Sequence, residues 1–272
     1  MALVDEADRH VAIPVTPTGA GVLVLAGSSG RIESDRAELF ARHGVRAHAI
    51  RWFGGAGQRR VPREVPLELF LDEVALLRES CDRVAVLGTS FGAEAALLTG
   101  TRTPVDAVIA IAPTSVVWPG ILDGSWSSHW TAAGVPLPWV PFADDWIATT
   151  DPPEFRDLYR TSVDRHPAEA QAAAIPVERI TGDVLLVVGE DDRVWPSARF
   201  ADEIVARRAA AGLPTAVVRH PLAGHRVPFP GEAAPSGGTR MARGGSREAD
   251  DELGAAAWDA VAGLVLGTTR PD

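Results

Sequence analysis

The stretch "VAVLGTSFGAEAALL", Val84–Leu98, decides how the rest of the chain is read. Its first half is an apolar run of the kind that forms a buried strand. Its second half is rich in alanine and leucine, which favour helix. Between them, Gly88-Thr89-Ser90-Phe91-Gly92 places a serine between two glycines at the corner. A chain needs no serine to turn from strand to helix. G-x-S-x-G carries weight only in this strand–turn–helix setting, where a strained turn lifts the hydroxyl above the sheet. The flanking glycines let strand and helix cross closely, and the backbone N–H groups of the first helical turn face the hydroxyl.

Working outward, the pattern repeats. "GVLVLAG" (Gly21–Gly27), "VRAHAI", "VDAVIAIAP", "DVLLVVGE" and "TAVVRHP" read as further strands. "ESDRAELFARHG", "LELFLDEVALLRES", "SARFADEIVARRAAAG" and "ELGAAAWDAVAGLVLG" show apolar residues at helical spacing. Strands alternating with helices imply βαβ units, hence an α/β fold with a doubly wound, mostly parallel sheet. Two segments break the rhythm. Thr114 to about Asp164, after the sixth strand of the fold, holds six prolines and five of the eight tryptophans: Trp118, Trp126, Trp130, Trp139 and Trp146. It is either a lid-like or substrate-binding excursion, or a segment that packs its tryptophans on a small core of its own. The second, "RVPFPGEAAPSGGTRMARGGSREAD", reads as irregular. No repeat or domain boundary is visible, so residues 1–272 are expected to form one domain.

The chain is 46% hydrophobic and 23% charged, with a net charge of −10. All 26 basic residues are arginine, a bias that resembles a GC-rich genome. The absence of lysine excludes Schiff-base chemistry and P-loop phosphate binding. The acidic balance argues against nucleic acid as a partner. One cysteine, Cys81, leaves no intrachain disulfide and no cysteine-rich metal site. No apolar run approaches a membrane span, and the first residues lack the basic start of a secretory signal. A cytoplasmic location without membrane contact is expected.

A serine hydroxyl is a poor nucleophile unless a base takes its proton and a third group orients that base. In α/β-hydrolases the three follow in the order Ser, acid, His. "VLLVVGEDDRVWPS" places Asp191 and Asp192 just past a strand, and "VRHPLAGHRVPF" places His225 in the loop after the next strand. The acid of this fold usually stands three residues after the strand-ending glycine, with a proline four further on. Gly189, Asp192 and Pro196 fit that spacing, so Asp192 is the expected acid and Asp191 is left to hydrogen-bond the turn. The oxyanion donors are expected to be the backbone N–H of Phe91 and, from "GSSG" after the first strand, that of Ser28.

From Gly21 to about Leu266 the chain resembles the catalytic domain of the bile acid-CoA:amino acid N-acyltransferase and acyl-CoA thioesterase family. The stretches that carry this are "LAGSSG", "IRWFG", "VAVLGTSFGAEAAL", "IAPTSVVW", "GVPLPWVPF", "IPVERITGDVLLVVGEDDRVWPS" and "AGHRVPFP". The resemblance implies an α/β-hydrolase fold with the family's Ser, Asp and His on Ser90, Asp192 and His225. It implies a serine hydrolase that cleaves acyl thioesters through an acyl-enzyme, without metal or cofactor. Three features depart from the family. With ~20 residues before Gly21, no N-terminal β-sandwich domain is expected. Phe91 stands where lysine or another polar residue is frequent. The amino-acid-transferring members use cysteine, so Ser90 favours hydrolysis. A distant likeness to dienelactone hydrolases keeps simple esters and lactones open, and transfer to an amine or alcohol and a non-catalytic binding module are further alternatives.

Trp118, Trp126 and Trp130 are the expected apolar contacts of an acyl group. If the carrier is coenzyme A, its phosphates need cations, for which Arg59, Arg60, Arg63 and Arg31 stand near strand ends; the other reading of these arginines is solubilising surface. The oligomeric state is not legible.

Overall fold

The computed structural model describes residues 4–232 and 239–268. In chain order the elements are β1 (Arg9–Ala12), β2 (Ala20–Leu25), α1 (Ser34–Arg42), β3 (Arg46–Ile50), β4 (Val65–Pro66) and α2 (Glu68–Arg78). Then come β5 (Arg83–Thr89), α3 (Phe91–Gly100), β6 (Ala107–Ile111), β7 (Pro119–Leu122), β8 (Ser125–Ser128), β9 (Trp130–Ala132) and β10 (Val135–Pro136). The chain closes with α4 (Arg156–Arg165), α5 (Pro167–Ala172), β11 (Asp183–Gly189), α6 (Ser197–Ala210), β12 (Ala216–His220) and α7 (Arg247–Leu266).

Seven strands form the main sheet in the order β1-β3-β2-β5-β6-β11-β12. All its pairings are parallel except that of β1 with β3. Successive residues of a strand point to opposite faces, which explains why the apolar runs are continuous: both faces are covered. Leu23, Val86, Val108 and Leu186 join one core with Phe70, Val74, Leu97, Phe200 and Ile204 of α2, α3 and α6. Their neighbours Val22, Leu87, Ile109 and Val187 join the other with Phe40 of α1 and Leu253, Ala257 and Val261 of α7. This is the doubly wound α/β-hydrolase architecture that the sequence pattern implied. Among the described residues no helix is long and apolar enough to cross a membrane.

Two parts of the reading are sharpened. The Pro/Trp-rich excursion contains short strands. Its β7 and β8 form a hairpin over Asp123-Gly124, and β9 and β10 form another over Ala133-Gly134, with positive φ at both residues of each turn, as two-residue turns of type I′ require. Its tryptophans do not make a separate core: Trp118 and Trp130 are 0% exposed and sit in the same cluster as Phe70 and Leu97. The segment expected to be irregular up to Asp250 gives way earlier, because Ser246 accepts the Ala249 N–H and starts α7 at Arg247. Part of that segment, residues 233–238, lies outside the described residues.

The sheet also fixes where a site can form. From β2 the chain passes to β3 on one side, and from β5 it passes to β6, β11 and β12 on the other. Between β2 and β5 the winding reverses, and the loops leaving their carboxyl ends diverge to open a crevice.

Candidate active site

Ser90 follows β5 directly, at φ 61° and ψ −122°, and its N–H is held by the Ile111 carbonyl at 2.9 Å. Such a conformation is costly for a residue with a side chain and persists only where the surroundings enforce it. The enforcement is visible in its flanking glycines. A Cβ on Gly88 would stand 1.9 Å from the Gly92 carbonyl oxygen, and one on Gly92 would stand 2.4 Å from that of Leu25. The loop after β2 presses on the serine as well: a Cβ on Gly27 would meet the Ser90 Cβ at 3.0 Å. Ser28, next to it, lines the same cavity as Ser90 and Phe91.

Asp192 and His225 come from the loops after β11 and β12. The His225 Nδ1 lies 2.7 Å from Asp192 Oδ2, with the two side chains 9% and 2% exposed. Asp192 is itself fixed: its Oδ1 accepts the N–H groups of Val194 at 2.8 Å and Trp195 at 3.2 Å, and the Ser197 hydroxyl donates to Oδ2. Asp191 does something else. It accepts the Gly245 N–H at 2.9 Å and meets Arg193, and these outweigh burial to hold its carboxyl below the usual aspartate value. The His225 loop is tied down by its neighbours. The His225 N–H donates to the Arg243 carbonyl at 2.9 Å, and the Gly224 N–H donates to Asp250 at 2.7 Å.

Ser90 and His225 open into one cavity of about 1020 Å³. Its apolar wall comes from the excursion: Trp126, Trp139, Phe142, Trp146, Phe155 and Leu158. Tyr159 adds a phenol that burial, with the nearby carboxylates of Glu94 and Asp192, pushes above its ordinary pKa. The expected tryptophan contacts are therefore redistributed. Trp126 lines the cavity, whereas Trp118 and Trp130 are core residues that do not reach it. Arg59 and Arg60 are exposed and outside the lining, with Arg59 donating to the Glu64 carbonyl at 3.2 Å. Arg31 does line the cavity.

Several residues had no signal in the sequence. Glu94, one turn into α3 and 0% exposed, accepts from the Trp118 N–H at 3.0 Å and the Trp130 indole at 2.7 Å, and its Oε2 lies 3.1 Å from His129 Nδ1. His129 packs on Phe91 at 4.2 Å between ring centroids. Glu94 thus ties the excursion to the helix that begins at the elbow. Behind the elbow, buried Arg36 pairs with Glu232 at 2.6 Å and donates to the Thr89 hydroxyl at 3.1 Å and the Val227 carbonyl at 3.0 Å. It links the serine turn to the histidine loop. Among the described residues no cluster of His, Cys, Asp or Glu is arranged to hold a metal ion.

Residues 65–259 match the family described as BAAT / Acyl-CoA thioester hydrolase C terminal. The chain belongs to this family. The match is shorter than the Gly21–Leu266 likeness read from the sequence, and leaves β1, β2, α1 and β3 outside it. Among curated proteins, mouse acyl-coenzyme A thioesterase 1 is 26% identical over 216 residues, covering 76% of this chain and 48% of that protein. Human mitochondrial acyl-coenzyme A thioesterase 2 is 26% identical over 216 residues, covering 76% and 42%. The chain thus spans about half the length of the curated relatives it matches. A putative dienelactone hydrolase from Klebsiella pneumoniae subsp. pneumoniae has a similar fold, with a TM-score of 0.52, 16% identity and 80% of each chain covered.

Proposed function

We propose that this family member is a serine hydrolase of acyl thioesters, with Ser90 as nucleophile, His225 as base and Asp192 as the orienting acid. The observation that carries the proposal is the 2.7 Å contact of His225 with Asp192 on a histidine that shares its cavity with the elbow serine. Asp192 accepts from Nδ1, which leaves Nε2 without a proton and able to take one. In the first step Nε2 removes the Ser90 proton as Oγ bonds to the acyl carbon. The carbonyl π pair moves to oxygen, where the N–H groups of Phe91 and Ser28 receive it; one such donor is worth about 2.7–4 kcal/mol in other enzymes. The intermediate collapses with loss of the thiolate, which takes the proton from the imidazolium, and an acyl ester remains on Ser90. Water then attacks, giving its proton to Nε2, and the acid leaves as the proton returns to Oγ. The sequence asks for no metal or organic cofactor.

In the same reading the acyl chain lies on the wall made by Trp126, Trp139 and Phe142, so the excursion acts as a substrate-binding cover. The likeness of half of each thioesterase relative supports a thioester substrate over an oxygen ester. The test is a matched panel of thioesters and oxygen esters of the same acids, given to wild type and Ser90→Ala. The expected result is thioester hydrolysis that falls by several orders of magnitude in the variant while its circular dichroism and Tm stay put. A clear preference for oxygen esters would replace the thioesterase reading with an esterase. Equal rates in wild type and Ser90→Ala would end the case for this serine.

A further inference from the structure

The chain has eight phenylalanines, eight tryptophans and one tyrosine, and the fold makes no use of that tyrosine's hydroxyl. Tyr159 stands on α4 and is 8% exposed. Three rings meet it edge-on: Trp118 at 4.6 Å, Phe142 at 5.2 Å and Trp195 at 5.5 Å between centroids, with interplanar angles of 88°, 84° and 86°. A phenylalanine would fill this place equally well. Elsewhere the fold pairs its buried aromatic donors. The indole N–H groups of Trp52, Trp118, Trp130 and Trp195 go to Ala26, Thr114, Glu94 and Ala112 at 3.0, 2.8, 2.7 and 3.2 Å. Ser162, further along α4, donates to the Leu158 carbonyl at 2.7 Å. The Tyr159 hydroxyl makes no hydrogen bond among the described residues. Nor is it sealed in the core, because Tyr159 lines the cavity that Ser90 and His225 share and its oxygen stays open to it.

A phenol withdrawn from bulk water and left unpaired loses hydration with nothing in return. A large apolar surface with a few fixed polar groups is the make-up of a pocket that orients its ligand. Burial, and then the charges of Glu94 and Asp192, keep the phenol in its neutral form, so it remains a donor. Its place is fixed as well. Trp195 stands between Tyr159 and the catalytic histidine, 5.8 Å from the His225 ring, with its own N–H spent on Ala112. The phenol is thus one ring away from the imidazole, on the wall supplied by the excursion.

We propose that Tyr159 selects the acyl group, its hydroxyl donating a hydrogen bond to an acceptor oxygen (keto, ether or hydroxyl) that the acyl chain carries a few carbons from the scissile carbonyl. An acyl chain without that oxygen leaves the phenol unpaired, and a site built to bond a polar group discriminates against the analogue that lacks it. This assignment rests on the hydrolase reading of Ser90 and names the class of its acyl group. It makes Tyr159 a specificity residue and leaves bond cleavage to Ser90, His225 and Asp192.

The experiment uses N-acetylcysteamine thioesters of octanoic acid and of its keto derivatives, with the keto group at each carbon from the fourth to the seventh. Wild type is expected to prefer at least one keto isomer to plain octanoyl by about 10-fold in kcat/KM. Tyr159→Phe should abolish that preference while its kcat/KM on plain octanoyl stays within about 2-fold of wild type. Its Tm should stay within about 2 °C of wild type, since the hydroxyl bonds nothing in the fold. No keto preference in wild type, or one that survives in Tyr159→Phe, overturns the assignment. Equal losses on every substrate, plain octanoyl included, overturn it too, because the hydroxyl would then serve the reacting carbonyl. A large fall in Tm does the same by giving the hydroxyl a structural task. If wild type turns over none of the panel, fluorophosphonate labelling of Ser90 tells whether the hydrolase reading has failed, and calorimetric titration with the free acids decides the subsite alone. A keto acid that binds about 10-fold tighter than octanoate to wild type, and no tighter to Tyr159→Phe, supports it; equal binding of all the acids, or none, overturns it.

Discussion

Asp191 and Asp192 are chemically identical neighbours with different tasks. Asp192 receives N–H groups from Val194 and Trp195 on one oxygen and faces Ser197 and His225 with the other. Asp191 faces Gly245 and Arg193 instead. Exchange for asparagine therefore separates them. Asp192→Asn should lower kcat about 10⁴-fold, since the amide cannot hold the imidazole in the working tautomer. Asp191→Asn should cost less than about 10-fold and show mainly as a small loss of Tm. Steady-state kinetics on the two proteins checks both. The distinction was legible in the sequence through the spacing of Gly189, Asp192 and Pro196, because turn geometry after a strand is local. Glu94 was not legible. Its meaning comes from Trp118, His129 and Trp130, 24 to 36 residues away, and no local pattern encodes such a meeting.

At the scale of elements, strands and helices were readable where the hydrophobic period was long, as in Arg83–Thr89 or Glu68–Arg78. Short pieces escaped. The edge strand Arg9–Ala12 has four residues and half-buried polar side chains, so it has no apolar run to betray it. The hairpin at Asp123-Gly124 did carry a turn signal, but in a segment read only as a proline- and tryptophan-rich excursion. Besides its ladder with β3, the edge strand is anchored by a buried carboxylate. Glu73 of α2, 1% exposed, bonds Arg9 of β1 through Nε at 2.9 Å and lies 3.0 Å from His48 Nδ1 of β3. Burial works against its charge, but His48 and Arg9 outweigh burial and leave the Glu73 pKa below the usual glutamate value. A folded-state pKa below the unfolded one stabilises fully above the unfolded value, near 4.3, and is lost as pH falls toward the folded one. Glu73→Gln should thus cost about 3–5 kcal/mol at pH 7, as expected when one partner of a buried pair is neutralised. The gap between wild type and variant should narrow below about pH 4; urea melts at pH 7 and pH 3.5 test this. A constant gap would mean that the charge contributes nothing. A second element-level prediction concerns the elbow. Gly92→Ala drives a methyl into the Leu25 carbonyl at 2.4 Å, so either β2 or α3 must shift and hydrolysis should fall at least about 100-fold.

The whole molecule divides its tryptophans between the core and the cavity wall. Trp130 is 0% exposed and hydrogen-bonded to Glu94, while Trp126 is 45% exposed and lines the cavity. Composition announces that an excursion rich in tryptophan has a purpose, but not which rings turn inward, because that depends on hairpins the sequence did not reveal. Trp130→Ala should lower stability by about 3–5 kcal/mol in denaturant melts. Trp126→Ala should leave the melt within about 0.5 kcal/mol and raise KM for long acyl chains more than for short ones. The winding reversal between β2 and β5 opens the crevice where Ser28, Ser90 and His225 line one cavity while the core closes beneath them.

The most direct measurement is the intact mass of the protein after exposure to a fluorophosphonate, with the modified peptide sequenced. A single stoichiometric adduct on Ser90, absent from Ser90→Ala and slowed by orders of magnitude in His225→Gln, is the predicted result. No adduct on the wild-type protein, or one that persists in Ser90→Ala, would contradict the account.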